Sequence, residues 1–269
     1  MAIIMMSRGS YSGGRLLSGC VATQLSYRAI DRETILGKAS ECGVSETKLR
    51  AALDRPPGFL DRFREERRRY MTLFQACLAE ELAGGNVIYT GHLAHLMLGG
   101  VSHVLRIRII APMAFRLAAV QEALKLGREE GLAYIHRQDH DRARWTRYLY
   151  GVDWNDPTLY DLVLSLEHVS IAEACEIVCA SARKPVFAET DESRAAMADL
   201  ALSYRVTAAL LTTPETSELA LEVRAKAGVV TLHGKVRTRK QLEAVEAVVR
   251  RTPGVTRVVL DGVVQVLDA

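Results

Sequence analysis

Three things are missing from this chain, and each absence removes a class of protein. There is no long apolar run, no paired cysteine spacing and no strong charge of one sign. No stretch approaches the ~20 apolar residues that cross a bilayer. The apolar start, residues 1–6, breaks at Ser7-Arg8. It has neither the basic opening nor the cleavage site of a secretory leader, so a cytoplasmic, non-transmembrane protein is expected. The five cysteines (Cys20, Cys42, Cys77, Cys175 and Cys179) are scattered. Cys175 and Cys179 stand one helical turn apart, but no second Cys or His pair sits at a zinc-ligand spacing. Buried free thiols in a reducing compartment are expected, with no disulfide and no structural metal. A net charge of +3 is too small to make nucleic acid an expected partner. The basic stretches at 62–69 and 142–147 are interleaved with or flanked by Glu65, Glu66, Asp139 and Asp141.

What is present is an ordinary globular balance, 49% hydrophobic and 25% charged over 269 residues, enough for a sizeable core in one large domain or two smaller ones. Residues 2–6 read as a buried parallel strand. A glycine-rich turn follows, and then helical spacing through Leu16, Leu17, Cys20, Val21 and Leu25. Residues 31–83 are helical in pattern, broken at Gly43 and at Pro56-Pro57-Gly58, with a short capped helix expected after Ser45 and a longer one from Leu60. Further strands are expected at 86–90, 104–110 and 160–165, with helices at 113–126, 128–150 and 171–182. Strands alternating with helices predict an α/β fold, a parallel sheet with helices on both faces.

Past a polar link at 184–192 the pattern changes. A helix at 195–211, two strands flanking Ala227-Gly228, a helix at 238–251 and a strand-rich tail make a small α+β unit of order αββαβ. The expected organisation is a domain at 1–183, a linker at 184–192 and a second domain at 193–269.

The glycine-rich turn reads Gly9-Ser10-Tyr11-Ser12-Gly13-Gly14-Arg15-Leu16. Its glycine spacing is that of a P-loop, with Arg15 in place of the usual lysine and Leu16 in place of the serine or threonine. Glycines let backbone N–H groups curl around phosphate oxygens, and the following helix adds its dipole. Arg15 can still grip phosphate, whereas Leu16 has no hydroxyl for magnesium. His92 with His95, and His136 with His140, stand at spacings that could share a metal on a helix. Neither pair has a matching carboxylate or cysteine set, so solvated or core histidines are expected.

The start of the chain through Arg15, the run Asp31-Arg32-Glu33, the Gly91 turn, and above all Tyr150-Gly-Val-Asp-Trp-Asn-Asp-Pro-Thr-Leu-Tyr-Asp-Leu-Val-Leu164 resemble the cytidylate kinase-like proteins. The resemblance implies a P-loop nucleoside monophosphate kinase fold, with ATP and a nucleoside monophosphate (CMP or dCMP foremost) as substrates and Mg2+ as cofactor. It implies that the loop from Gly9 through Ser10, Tyr11, Ser12, Gly13 and Gly14 to Arg15 holds the donor phosphates. Asp31 and Arg32 would face the acceptor, Asp139 and Arg142 would form an Asp-x-x-Arg lid motif, and Arg147 would lie on the same basic stretch. Where this family carries Gly-Arg after the strand expected at 86–90, an arginine implied to bind the acceptor phosphate, this chain has Gly91-His92, and a mostly neutral imidazole stands for a guanidinium.

Residues 196–266, through Gly228-Val-Val-Thr-Leu-His-Gly234-Lys-Val and Thr252-Pro-Gly254-Val, resemble a BON domain. That implies a protein or phospholipid partner. Lys235, Arg237, Arg239 and Lys240 would form a basic edge, which equally serves to discourage strand pairing. Two functions follow: a nucleoside monophosphate kinase, or a nucleotide-binding regulatory protein that has lost turnover and signals through its second domain. A homo-oligomer is left open.

Overall fold

The computed structural model describes residues 2–41, 47, 48, 50 and 64–265. They fall into two compact units. Among the described residues, the first takes in those up to Thr34 and Gly84–Thr190, and the second takes in 35–41, the helix ending at Ala83, and the chain from Asp191 onward.

The first unit is built on five strands: β1 (Ile3–Arg8), β2 (Arg28–Asp31), β3 (Val87–Thr90), β4 (Val104–Ile110) and β5 (Leu162–Ser165). They hydrogen-bond in the order β2-β3-β1-β4-β5, every pair parallel. β1 is buried along nearly its whole length because neighbours pair on both edges and helices cover both faces. Successive side chains point to opposite faces. Ala2, Ile4 and Met6 pack with Leu17, Val21, Ala174, Cys175 and Val178, contributed by α1 (Gly14–Leu25) and α6 (Ile171–Ala182). Burying the larger of these, Ile4, Met6, Leu17, Val21 and Val178, stabilises by about 1.5–3 kcal/mol each. A smaller cluster of Leu117, Val120 and Ile135 joins α4 (Met113–Leu124) to α5 (Arg128–Tyr150). The chain passes from β1 to the edge strand β2, returns to β3, and then crosses β1 to β4 on its other side, so the carboxyl end of β1 is the switch point where open parallel sheets take ligands.

The α/β architecture expected from the sequence is therefore observed. β2 was not anticipated: it is a four-residue edge strand in which Ile30 alone is buried, too short to show a period. Of the helix expected after Ser45, only 47, 48 and 50 are described, and they are helical. The long helix expected from Leu60 is described as α3 (Arg64–Ala83), after α2 (Arg32–Glu41).

The cysteine expectation needs correction. Cys20 on α1 and Cys175 on α6 form a disulfide, with Cα atoms 6.1 Å apart. They are 155 residues apart in sequence, and the side-by-side packing of α1 and α6 on one face of the sheet brings them together. No local spacing reveals such a pair. Among the described residues, Cys179 is a buried free thiol, and Cys77 is buried as well.

The second unit contains α7 (Asp191–Thr212), β6 (Leu221–Lys226), β7 (Val229–Val236), α8 (Arg239–Arg251) and β8 (Arg257–Gln265), in the expected αββαβ order. β6 and β7 are antiparallel and β7 and β8 parallel. The hairpin turns at Ala227 and Gly228, both with positive φ, 49° and 78°, as a tight two-residue turn requires. Thr238 and Gln241 make a reciprocal cap at the start of α8. Leu202, Val206, Val230, Leu232, Val245 and Val249 form the core. α3 packs along α7 in this unit, where Arg205 Nε meets Glu80 Oε1 at 2.8 Å, and Lys38 pairs with Glu81. Among the described residues, no helix is long and apolar enough to cross a membrane.

Candidate functional site

The glycine-rich loop leaves β1 at Arg8 and enters α1 at Gly14. Tyr11 and Gly13 take positive φ, 57° and 79°, which coils the loop tightly. Ser12 turns inward: its hydroxyl donates to the Gly9 carbonyl at 3.0 Å and lies 3.4 Å from the Ile109 carbonyl. The first turn of α1 has no side-chain cap and no acidic residue, so its leading N–H groups and positive dipole end are available to an anion. Gly14 is required by close approach, since a Cβ there would stand 2.6 Å from Arg8 Cδ. At Gly9 a Cβ would come within 3.3 Å of the Arg116 guanidinium carbon.

Arg116, on α4, ties the loop to α5. Its Nε donates to the Ser10 carbonyl at 2.7 Å, and its two terminal nitrogens meet both oxygens of Asp139 at 2.9 and 2.7 Å. Asp139 is thus spent on a two-pronged pair that fixes the loop. Arg142, one turn further along α5, donates to the Arg8 carbonyl at 3.0 Å. Burial and the neighbouring Arg8 lower its pKa to about 10, which still leaves it charged at neutral pH.

Arg108 is buried in β4. Its guanidinium lies 3.6 Å from the centre of the Trp154 ring, donates to Asn155 Oδ1 at 3.3 Å, and stands 3.4 Å from Ser7 Oγ. Burial lowers its pKa as well. Arg8, Arg108 and Arg142 form no ion pair among the described residues, and Arg8 Nε and Thr90 Oγ1 are buried without partners there. Cations withdrawn from water without counterions are costly, and such a cluster is complementary to an anion. Beside it opens a cavity of about 740 Å³ lined in part by Gly9, Ser12, Arg108, Arg116, Asp139 and Trp154, within the range of small-ligand sites.

The remaining expected residues are placed as follows. His92 donates from Nε2 to the Arg142 carbonyl at 3.0 Å and packs edge-on against Trp154 at 4.9 Å. Burial first, and Arg142 second, hold its pKa well below the ordinary histidine value, so it is a neutral bracket for α5. Asp31 accepts from Thr34 N and Oγ1 at 3.1 and 3.2 Å, capping the start of α2, with Arg32 next to it in sequence. Arg15 and Arg147 are exposed. The structure thus brings the loop, Asp139 and Arg142 together and adds Arg8, Arg108, Arg116 and Trp154, none of which sequence reasoning singled out as site residues. For Arg108 a signal existed: an arginine inside a strand otherwise buried on both faces needs a reason.

Comparison with known proteins gives the family and the fold. Residues 3–168 match the model of the cytidylate kinase-like family. The chain belongs to that family. Residues 198–265 match the BON domain. Over 100 residues the chain is 27% identical to a cytidylate kinase of Staphylothermus marinus, a match covering 37% of this chain and 55% of that relative. The chain thus spans about half the length of the curated relative it matches. Among solved structures, an uncharacterized protein from Eubacterium ventriosum superposes with a TM-score of 0.53 at 14% identity, covering 68% of this chain and 98% of that one. A shikimate kinase from Bacteroides thetaiotaomicron superposes at 0.41 with 11% identity, covering 66% and 96%. The first of these likenesses concerns the fold.

Both groups implied by a cytidylate kinase-like domain can be tested against the residues. A nucleotide's phosphates fit, because unpaired arginines and a free helix amino end converge beside an open cavity. A protein-held magnesium ion does not fit. Leu16 offers no ligand, both oxygens of Asp139 are occupied, and the described residues contain no group of three His, Cys, Asp or Glu able to hold a metal.

Proposed function

We propose that the cytidylate kinase-like domain transfers the γ-phosphoryl group of ATP to a nucleoside monophosphate, with CMP or dCMP the foremost acceptor. The observation that carries this is the trio of buried Arg108 with half-buried Arg8 and Arg142, set around the loop and forming no ion pair among the described residues. Phosphoryl transfer asks little covalent chemistry of a protein and much cationic preorganisation. An oxygen of the acceptor phosphate attacks the γ-phosphorus, the bond to the β,γ-bridging oxygen breaks, and ADP leaves with the electron pair. In this reading the backbone from Gly9 to Arg15 holds the donor phosphates, Asp31 and Arg32 face the acceptor, and Arg142 answers the charge on the moving phosphoryl. Asp139 acts through Arg116, keeping the loop in register.

The BON-like unit is assigned a protein or phospholipid surface as partner. A second reading, a nucleotide-responsive regulator without turnover, is favoured by His92, whose neutral ring is engaged with α5 where the family places a phosphate-binding arginine. Incubating the full chain with ATP and each monophosphate in turn, then separating the products, decides between them. The kinase reading expects equimolar ADP and nucleoside diphosphate, fastest with CMP or dCMP. ATP binding without turnover on any monophosphate overturns it and supports the regulator.

A further inference from the structure

The mismatch between the arginine cluster and the missing magnesium ligands has a consequence for what the site binds. We propose that the phosphate chain of the nucleotide is neutralised by Arg8, Arg108 and Arg142 in place of a protein-held magnesium ion, so that the domain takes metal-free nucleotide as its ligand. This rests on the nucleotide-binding reading above.

Arg142 lies within electrostatic range of the guanidiniums of Arg8, Arg108 and Arg116 and of the Asp139 carboxylate, while Asp31 is felt at Arg8 and Asp153 at Arg108 without forming an ion pair with either. Asp139 gives both oxygens to Arg116, and that pair also clamps the Ser10 carbonyl. Arg8, Arg108 and Arg142, none of them ion-paired among the described residues, therefore remain for a ligand, against the more distant charges of Asp31 and Asp153. Arg108 is held by Trp154 and Asn155, and Arg142 by the Arg8 carbonyl, so their charge is preorganised at little entropic cost.

The second observation is the position that presents a metal-binding hydroxyl in a P-loop. Here it is Leu16, 67% exposed at the start of α1. Ser12 donates its hydroxyl inward to the Gly9 carbonyl, and Asp139 gives both oxygens to Arg116, so neither stands in for it. A magnesium ion would therefore reach the site only on the nucleotide, where it would add positive charge to a place that already has three unpaired cations. Metal-free ATP carries more negative charge than its magnesium complex and is the better electrostatic match.

Calorimetric titration of the full chain with ATP, once in excess Mg2+ and once in EDTA at equal ionic strength, tests this. Equal or tighter affinity in EDTA is the expected result. Weakening in EDTA by about fivefold or more, the lower end of ordinary coupling between two ligands, overturns the inference and leaves the nucleotide-binding reading standing. No heat and no competition with a fluorescent ATP analogue under either condition overturns both.

Discussion

Gly14 and Arg8 compete for the same small space, and this makes residue 14 a sensitive position. Gly14→Ala places a methyl group 2.6 Å from Arg8 Cδ, so the Arg8 side chain must move while the fold need not. ATP affinity in Gly14→Ala is expected to fall roughly tenfold, the loss of about one charge-assisted contact, with the thermal midpoint nearly unchanged. Calorimetry beside a melting curve checks both. His92 and His95 set a pH dependence. Burial holds His92 well below the ordinary value and His95 at about 4, whereas both titrate near ~6.5 when unfolded. The unfolded chain then binds more protons, so their contribution is intact above about pH 6.5 and drains away as pH falls toward about 4, by roughly 3 kcal/mol for His95 alone. Urea midpoints across that range should drop in the parent and drop less in His95→Gln; parallel curves would contradict this. The sequence showed the loop glycines and the Asp-x-x-Arg pair of Asp139 and Arg142, since these are local patterns. It did not show Arg116 as the partner of Asp139, because their contact joins two helices and leaves no spacing to read.

At the scale of elements, the period of the apolar residues predicted most helices and strands, and α6 is observed at 171–182 as expected. That success has a physical basis: α6 has a reciprocal Ser170–Glu173 cap, and β1 and β4 are buried on both faces. β2 escaped notice because one buried residue in four makes no pattern. The link between α1 and α6 escaped for a different reason, since Cys20 and Cys175 meet only after the sheet has assembled. Closing so long a loop covalently is expected to stabilise the fold by about 2–4 kcal/mol. Dithiothreitol should therefore lower the thermal midpoint of the parent and leave that of Cys20→Ser unmoved. A parent whose midpoint ignores the reductant, with both thiols alkylated before treatment, would show that the bridge does not form.

For the whole molecule, the division into a cytidylate kinase-like part and a BON-like part is clear in the sequence from the change of pattern near residue 190. The compact units divide the chain less simply, because α3, from the amino-terminal half, packs along α7. Tyr70, Leu73, Phe74 and Leu78 are buried in α3. A fragment ending at residue 190 removes α7 and leaves that helix without its partner. It is expected to aggregate or to bind a hydrophobic dye where the full chain does not; a monomeric, dye-negative fragment would contradict this. The central claim, that the buried and half-buried arginines around the loop, none of them ion-paired, are a phosphate site, is tested most directly by titrating ATP into the parent and into Arg142→Gln with matched thermal midpoints. The account predicts about ten- to a hundredfold weaker binding in the variant, the worth of a charged hydrogen bond of about 1.5–3 kcal/mol. Unchanged affinity in a folded Arg142→Gln would contradict it.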